Sequence, residues 1–242
     1  MYKKTYEKES EKLIVFIYDF LLVSSTLLFA YVIILLLIRS YTDKKYDKLL
    51  NINTRGKRSW DKKNIYHRTE STPYLALDSL TKAYIVNPGD RLVDFGAGKG
   101  RVFLYLHDFY NIPVTGIEID NLAYDEANRN ISNYLDVAKD NEKSKKDILL
   151  LKKFAEEYII DVNDNKFFFF NPFDVSIFEK VVENIIKHAN ENKKEVDVIL
   201  YYPTNKYKEF IKSTDFVIYQ EISTKGSISP TEKIEIYRYK GN

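Results

Sequence analysis

The chain has 242 residues, 45% hydrophobic and 30% charged, the balance of a folded protein with room for one domain and extra segments. It has no cysteine, which excludes disulfides and thiolate-bound metals, and its three histidines (His67, His107, His188) lie far apart and read as ordinary surface or core residues, so no metal site is expected. Residues 1–63 carry a net +6 and residues 64–242 a net −4, so the larger part is mildly acidic, which argues against a nucleic-acid partner.

Residues 13–38 read LIVFIYDFLLVSSTLLFAYVIILLLI, and residues 20–38 carry no charge. As a helix that uncharged stretch spans ~28 Å, close to the hydrocarbon core of a bilayer. Ser24, Ser25 and Thr26 are tolerable there because their hydroxyls bond back to the helix. Asp19 belongs near one edge. The run is too long for a cleaved signal peptide, and no small-residue cleavage site follows it. Four Lys/Arg precede it and nine follow between residues 39 and 63, so the bulk of the chain is expected on the cytoplasmic side. The expected order is a short external N-terminus at 1–12, a transmembrane helix at 13–38, a basic juxtamembrane linker at 39–70 and a cytosol-facing domain at 71–242. The linker's cations could also meet anionic lipid, at ~1 kcal/mol each.

In the domain, Ser71 or Thr72 is expected to cap a helix with Pro73 at its first position and Leu77, Leu80 and Tyr84 on one face. NPGD at 87–90 is a turn. Residues 91–95 read as a buried strand, 99–109 as a helix and 114–119 as a strand. A helix capped by Asp120 follows, with Leu122, Ala127, Ile131 and Tyr134 inward. The charged stretch 136–147 is a loop, and 148–151 and 167–170 are strands. NPFD at 171–174 turns into a helix carrying Val175, Phe178, Val182, Ile185 and Ile186; 196–202 is a strand. Segments 216–222 and 234–239 alternate apolar and polar residues, as in a closing antiparallel pair. Strands separated by helices predict a mostly parallel sheet covered on both faces.

The stretch RLVDFGAGKGRV, residues 91–102, puts an acid and three glycines at the end of a strand. It is not a P-loop, and its G-x-G-x-G spacing is not the dinucleotide pattern. Asp94 would face an incoming pyrophosphate with like charge. It suits a cation: the ammonium and sulfonium of S-adenosylmethionine would welcome the carboxylate, while the glycines let backbone pass close. Glu118 ends the next strand, where an acid can accept both hydroxyls of a ribose.

With VTGIEID at 114–120, this stretch resembles the class I S-adenosylmethionine-dependent methyltransferases over roughly residues 72–239. More narrowly, TPY, VDFGAGKGR, GIEID, FFFFNPFD and DVILYYP together resemble methyltransferase-like proteins of low-GC Gram-positive bacteria. The resemblance implies an α/β fold: a Rossmann-like, seven-stranded, mostly parallel sheet with an antiparallel C-terminal hairpin, here preceded by one transmembrane helix. It implies cofactor contacts from Asp94, Gly96, Ala97, Gly98 and Gly100, ribose binding by Glu118, packing of Ile119 on the adenine, and Glu156 in FAEEY as the acid meeting the adenine amine. Lys99 stands where a small residue is commoner and could pair with solvent or substrate.

Methyl transfer asks the protein chiefly to align acceptor and methyl. In methyltransferases acting on amino groups, an Asn/Asp-Pro-Pro-aromatic turn holds the target through its amide oxygen and a backbone carbonyl. Asn171, Pro172 and Phe173 resemble that turn with one proline missing and could also contact the cofactor; equally, Pro172 makes a turn, Phe173 is core and Asp174 an N-cap. Tyr201, Tyr202 and Pro203 end a strand beside the same mouth. A lysine acceptor must lose a proton, which from a pKa of ~10.4 costs about 4–5 kcal/mol at neutral pH; Asp174 is the acid close in sequence. The expected function is a membrane-anchored methyltransferase using S-adenosylmethionine on a protein or peptide amine or a small molecule. The alternative is a non-catalytic S-adenosylmethionine sensor or tether.

Overall fold

The structure, a computed structural model, describes residues 2–56, 65–67, 70–138, 147–229 and 231–241, with side chains from Thr26 onward. Asp19, part of the expected linker and most of the charged loop therefore lie outside the described residues or side chains.

Apolar and aromatic runs make seven strands: β1 Leu92–Phe95, β2 Val114–Glu118, β3 Ile148–Lys152, β4 Lys166–Phe169, β5 Glu195–Tyr201, β6 Val217–Ser223 and β7 Lys233–Lys240. They form one sheet in the order β3-β2-β1-β4-β5-β7-β6. The first five are parallel; β7 pairs antiparallel with both β5 and β6. The helices are α1 Tyr2–Leu49, α2 Tyr74–Ala83, α3 Arg101–Tyr110, α4 Asn121–Ala138, α5 Val175–Glu191 and α6 Asn205–Lys212. The strand order runs outward from β1 in both directions, so the crevice where such sheets hold ligands opens between the carboxyl ends of β1 and β4.

Helical spacing decides which faces pack. On α5, Phe178, Val181, Val182, Ile185 and Ala189 are buried together, and Asp174 caps the first turn by accepting from Ser176 N–H at 3.1 Å. On α4, Ala127, Ile131 and Tyr134 turn inward, and Asp120 accepts from Ala123 N–H at 2.8 Å. Leu122, expected inward, is exposed because it stands in the first turn, off that stripe. Short α6, with Thr204 as its N-cap, has too few periodic residues to stand out in the sequence.

The larger correction concerns α1. It does not stop at Ile38 but continues to Leu49, and Leu50 and Ile52 just beyond it are part of the domain core rather than linker. Asp43, Tyr46, Asp47 and Leu50 face inward at helical spacing, while Lys44, Lys45 and Lys48 face out. Asp47 accepts from Thr54 N–H (2.9 Å), Thr54 Oγ1 (2.7 Å) and Tyr74 Oη (2.8 Å). Tyr46 stacks on Tyr74, and Leu50 and Ile52 join the core. α2 starts without a Ser/Thr cap: Pro73 holds the cap position, and Asp43 of α1 accepts from Tyr74 N–H at 3.2 Å. Ser71 donates instead to Thr54 O. Within Thr26–Leu49 an 18-residue window with a mean hydropathy of 1.6 makes α1 long and apolar enough, by length and composition, to cross a membrane.

Candidate functional site

The glycine turn follows β1. Gly96, Gly98 and Gly100 all take positive φ (76°, 55° and 94°), the left-handed region in which side chains are disfavoured. Gly96 has a second constraint, since a Cβ there would sit 2.4 Å from Pro172 Cβ. The turn after β1 and the turn after β4 are thus in direct contact. Gly96 and Ala97 both donate to Ile117 O, anchoring the loop on β2.

Asp94 points into the cavity beneath this turn. Its Oδ2 is buried and has no hydrogen-bond partner among the described residues. Burial chiefly, and then the Glu118 carboxylate, push its pKa up to about 8, against a lowering contribution from Phe103 N–H. An acid in this state is short of a positive partner.

Glu118 supports the loop. Its Oε2 accepts from Gly98 N–H (2.7 Å), and its Oε1 from Ile119 (2.8 Å) and Asp120 (2.7 Å) N–H groups. Burial raises its pKa while those three donors oppose the shift. Oε1 is saturated; Oε2 keeps one lone-pair position for a ligand hydroxyl.

The inner cavity, of about 60 Å³, is lined by Asp94, the turn from Gly96 to Lys99, Glu118, Ile119 and Ala155, with Tyr66 and His67 on its outer side. It adjoins an outer basin of about 1100 Å³ bounded by Arg39 and Asp43 of α1 and by Asn171, Tyr201 and Tyr202 at the strand ends. Pro203 does not line either. Tyr202 holds φ +52°, a rare state for a bulky residue, at the mouth of this basin.

Asn171, at φ +44°, turns the chain after β4. Its Oδ1 is another buried oxygen without a hydrogen-bond partner among the described residues. Phe173 belongs to the core, edge-on to Phe169 and Tyr66. Glu156 is not a lining residue: its carboxylate accepts from Tyr66 Oη at 2.9 Å. The Lys99 ammonium has protein partners, donating to Arg55 O at 2.7 Å and lying 3.3 Å from Glu126. Asp174 is spent on the helix cap, and the Ser176 N–H holds its pKa low, which is unsuited to a base.

Two participants have no signature in the sequence. Arg101, first residue of α3, is buried. It donates to Thr54 Oγ1 (2.6 Å), Asp43 (2.9 Å) and Thr72 O (3.1 Å), and stacks over Tyr74. It ties the glycine turn to α1. Tyr66 and His67 form the second participant. They pair antiparallel with the turn after β4: His67 N–H donates to Pro172 O (2.9 Å), and Asp174 N–H donates to Ile65 O (2.7 Å).

No protein-family profile and no curated protein sequence matches the chain. Solved structures do. A human methyltransferase 10 domain-containing protein superposes with a TM-score of 0.53 at 13% identity, covering 86% of this chain and 98% of that one. A Pyrococcus horikoshii protein proposed to be an RNA methyltransferase gives 0.51 at 16% identity, covering 82% and 98%. At such identities the likeness is one of architecture: the chain has the seven-stranded α/β fold found in methyltransferases.

Proposed function

We propose that the protein is an S-adenosylmethionine-dependent methyltransferase, held at a membrane by α1 with its α/β domain on the cytoplasmic side, acting on an amine of a protein, peptide or small molecule. The observation that carries this reading is the buried Asp94 carboxyl, whose Oδ2 has no hydrogen-bond partner among the described residues, beneath a glycine turn at the switch point of the sheet. A cation placed there relieves a charge that burial otherwise suppresses. Glu118 Oε2 is available to a ribose hydroxyl, Ile119 and Ala155 offer apolar surface to an adenine, and Gly96 and Gly98 bring backbone without side chains to the cavity wall. The enclosed cavity is small, so a ligand of this size extends toward the outer basin.

S-adenosylmethionine, when bound, supplies a methyl group already activated on a sulfonium. The chain's own residues then have two tasks, to hold the acceptor and to keep water away. Asn171 Oδ1 supports an amine acceptor, since it is a buried oxygen in want of an N–H. Tyr201 and Tyr202 wall the basin from which an acceptor arrives. The apolar length of α1 supports membrane attachment. Calorimetry with S-adenosylmethionine, followed by transfer of labelled methyl to membranes and extracts of cells expressing the protein, tests the reading. Binding plus a labelled amine product is the expected result. Binding without any labelled product favours a sensor, and no binding removes the proposal.

A further inference from the structure

Resting on that reading, we propose that His67 is the base that takes the proton from the methyl acceptor. His67 stands where the inner cavity meets the outer basin and lines both. Its backbone is fixed by the bond to Pro172 O, and its ring by Nδ1, which lies 2.8 Å from Asn171 O. A peptide carbonyl can only accept a hydrogen bond, so Nδ1 carries the hydrogen. In the neutral ring the lone pair therefore sits on Nε2.

The turn after β4 thus presents two acceptors from adjoining elements. One is the buried, unpartnered Asn171 Oδ1, and the other is His67 Nε2. The backbone carbonyls of Asn171 and Pro172 each accept from His67, and neither is basic enough to take a proton, which leaves the imidazole as the base beside the turn. Asp174, the neighbouring acid, is held at a helix N-terminus.

In the step, an N–H bond of the acceptor ammonium breaks and its electron pair stays on nitrogen as the attacking lone pair. The proton bonds to Nε2, while Nδ1–H remains on Asn171 O. The resulting imidazolium returns its proton to water through the outer basin.

The test uses the full chain in detergent with methyl-labelled S-adenosylmethionine and the membrane fraction of cells expressing it. His67→Asn keeps a donor near the Nδ1 position and removes Nε2; His67→Ala removes both. Both variants keep Asp94, Glu118 and the glycine turn, so S-adenosylmethionine binding should fall far less than methyl transfer, by about tenfold at most. Both should lose at least about 100-fold in labelled methyl transfer, and added imidazole should restore part of the activity of His67→Ala. Nitrogen NMR of labelled histidine in the unliganded chain should report the Nδ1–H tautomer for His67. Wild-type transfer by His67→Asn, or an Nε2–H tautomer, overturns the proposal while leaving the methyltransferase reading intact. A wild-type chain that binds the cofactor yet labels nothing overturns both.

Discussion

Burial, and then the Glu118 carboxylate, keep the Asp94 carboxyl protonated near neutral pH. Unfolded, it ionises at its ordinary value of 3.8; folded, at about 8. Between those values the native state holds the extra proton, so this residue makes stability fall as pH rises through the window. Asp94→Asn is therefore expected to melt at a higher temperature than wild type at pH 9 and to match it near pH 4, readable by scanning calorimetry. The same substitution should weaken S-adenosylmethionine binding by roughly 10–100-fold, the loss of one charged contact. Gly96→Ala meets two obstacles at once, a positive φ and a Cβ 2.4 Å from Pro172. Chemical denaturation should show a cost of about 1–3 kcal/mol, with cofactor binding lost because both turns shift.

Arg101 makes α1 part of the site. It joins Asp43 and Thr54 to the start of α3, one residue after the last glycine of the turn. Arg101→Met leaves Asp43 and buried Asp47 without their cation, and is expected to cost ~3 kcal/mol in urea unfolding. An unchanged midpoint would show that α1 merely lies alongside. The strand–helix alternation and both turns were legible because period-2 and period-3.6 runs and glycines state them directly. The inward face of α1 after Ile38 was not: its acids at i and i+4 are interleaved with lysines, and only the tertiary partner, Arg101, tells them from a solvated run. Tyr66 and His67 were equally silent, since a two-residue bridge has no period; the histidine takes its meaning from the carbonyl it meets. Conversely, Glu156 looked placed for a ligand by position alone, and its actual partner is Tyr66.

Seen as one body, the sheet has two ends with different duties. At the amino ends of β4 and β5, fully buried Asp197 is clasped by Arg238 (2.8 and 2.9 Å) and Lys166 (2.8 Å) and bonded by Tyr84. Burial alone would raise its pKa, but these cations outweigh it and hold the acid low, so its contribution to stability is present at neutral pH and lost on acidification. At the carboxyl ends, the Asp94 carboxyl is held neutral, with Oδ2 lacking a hydrogen-bond partner among the described residues. Through Arg39, paired with Glu232 at 2.7 Å, the apolar helix joins this second end. If α1 spans a bilayer, the chain should stay in the membrane pellet through both 1 M salt and alkaline carbonate washes; release by salt would make the attachment peripheral.

The account's central claim is that buried Asp94 receives a positive charge from the cofactor. The direct measurement is calorimetry of S-adenosylmethionine binding at pH 6.5 in two buffers of different ionisation enthalpy, for wild type and Asp94→Asn. Wild type should release about one proton on binding, as a pKa near 8 is driven down by the arriving cation, and the variant should bind more weakly and release none. Equal affinity and equal proton release in the two proteins would contradict it.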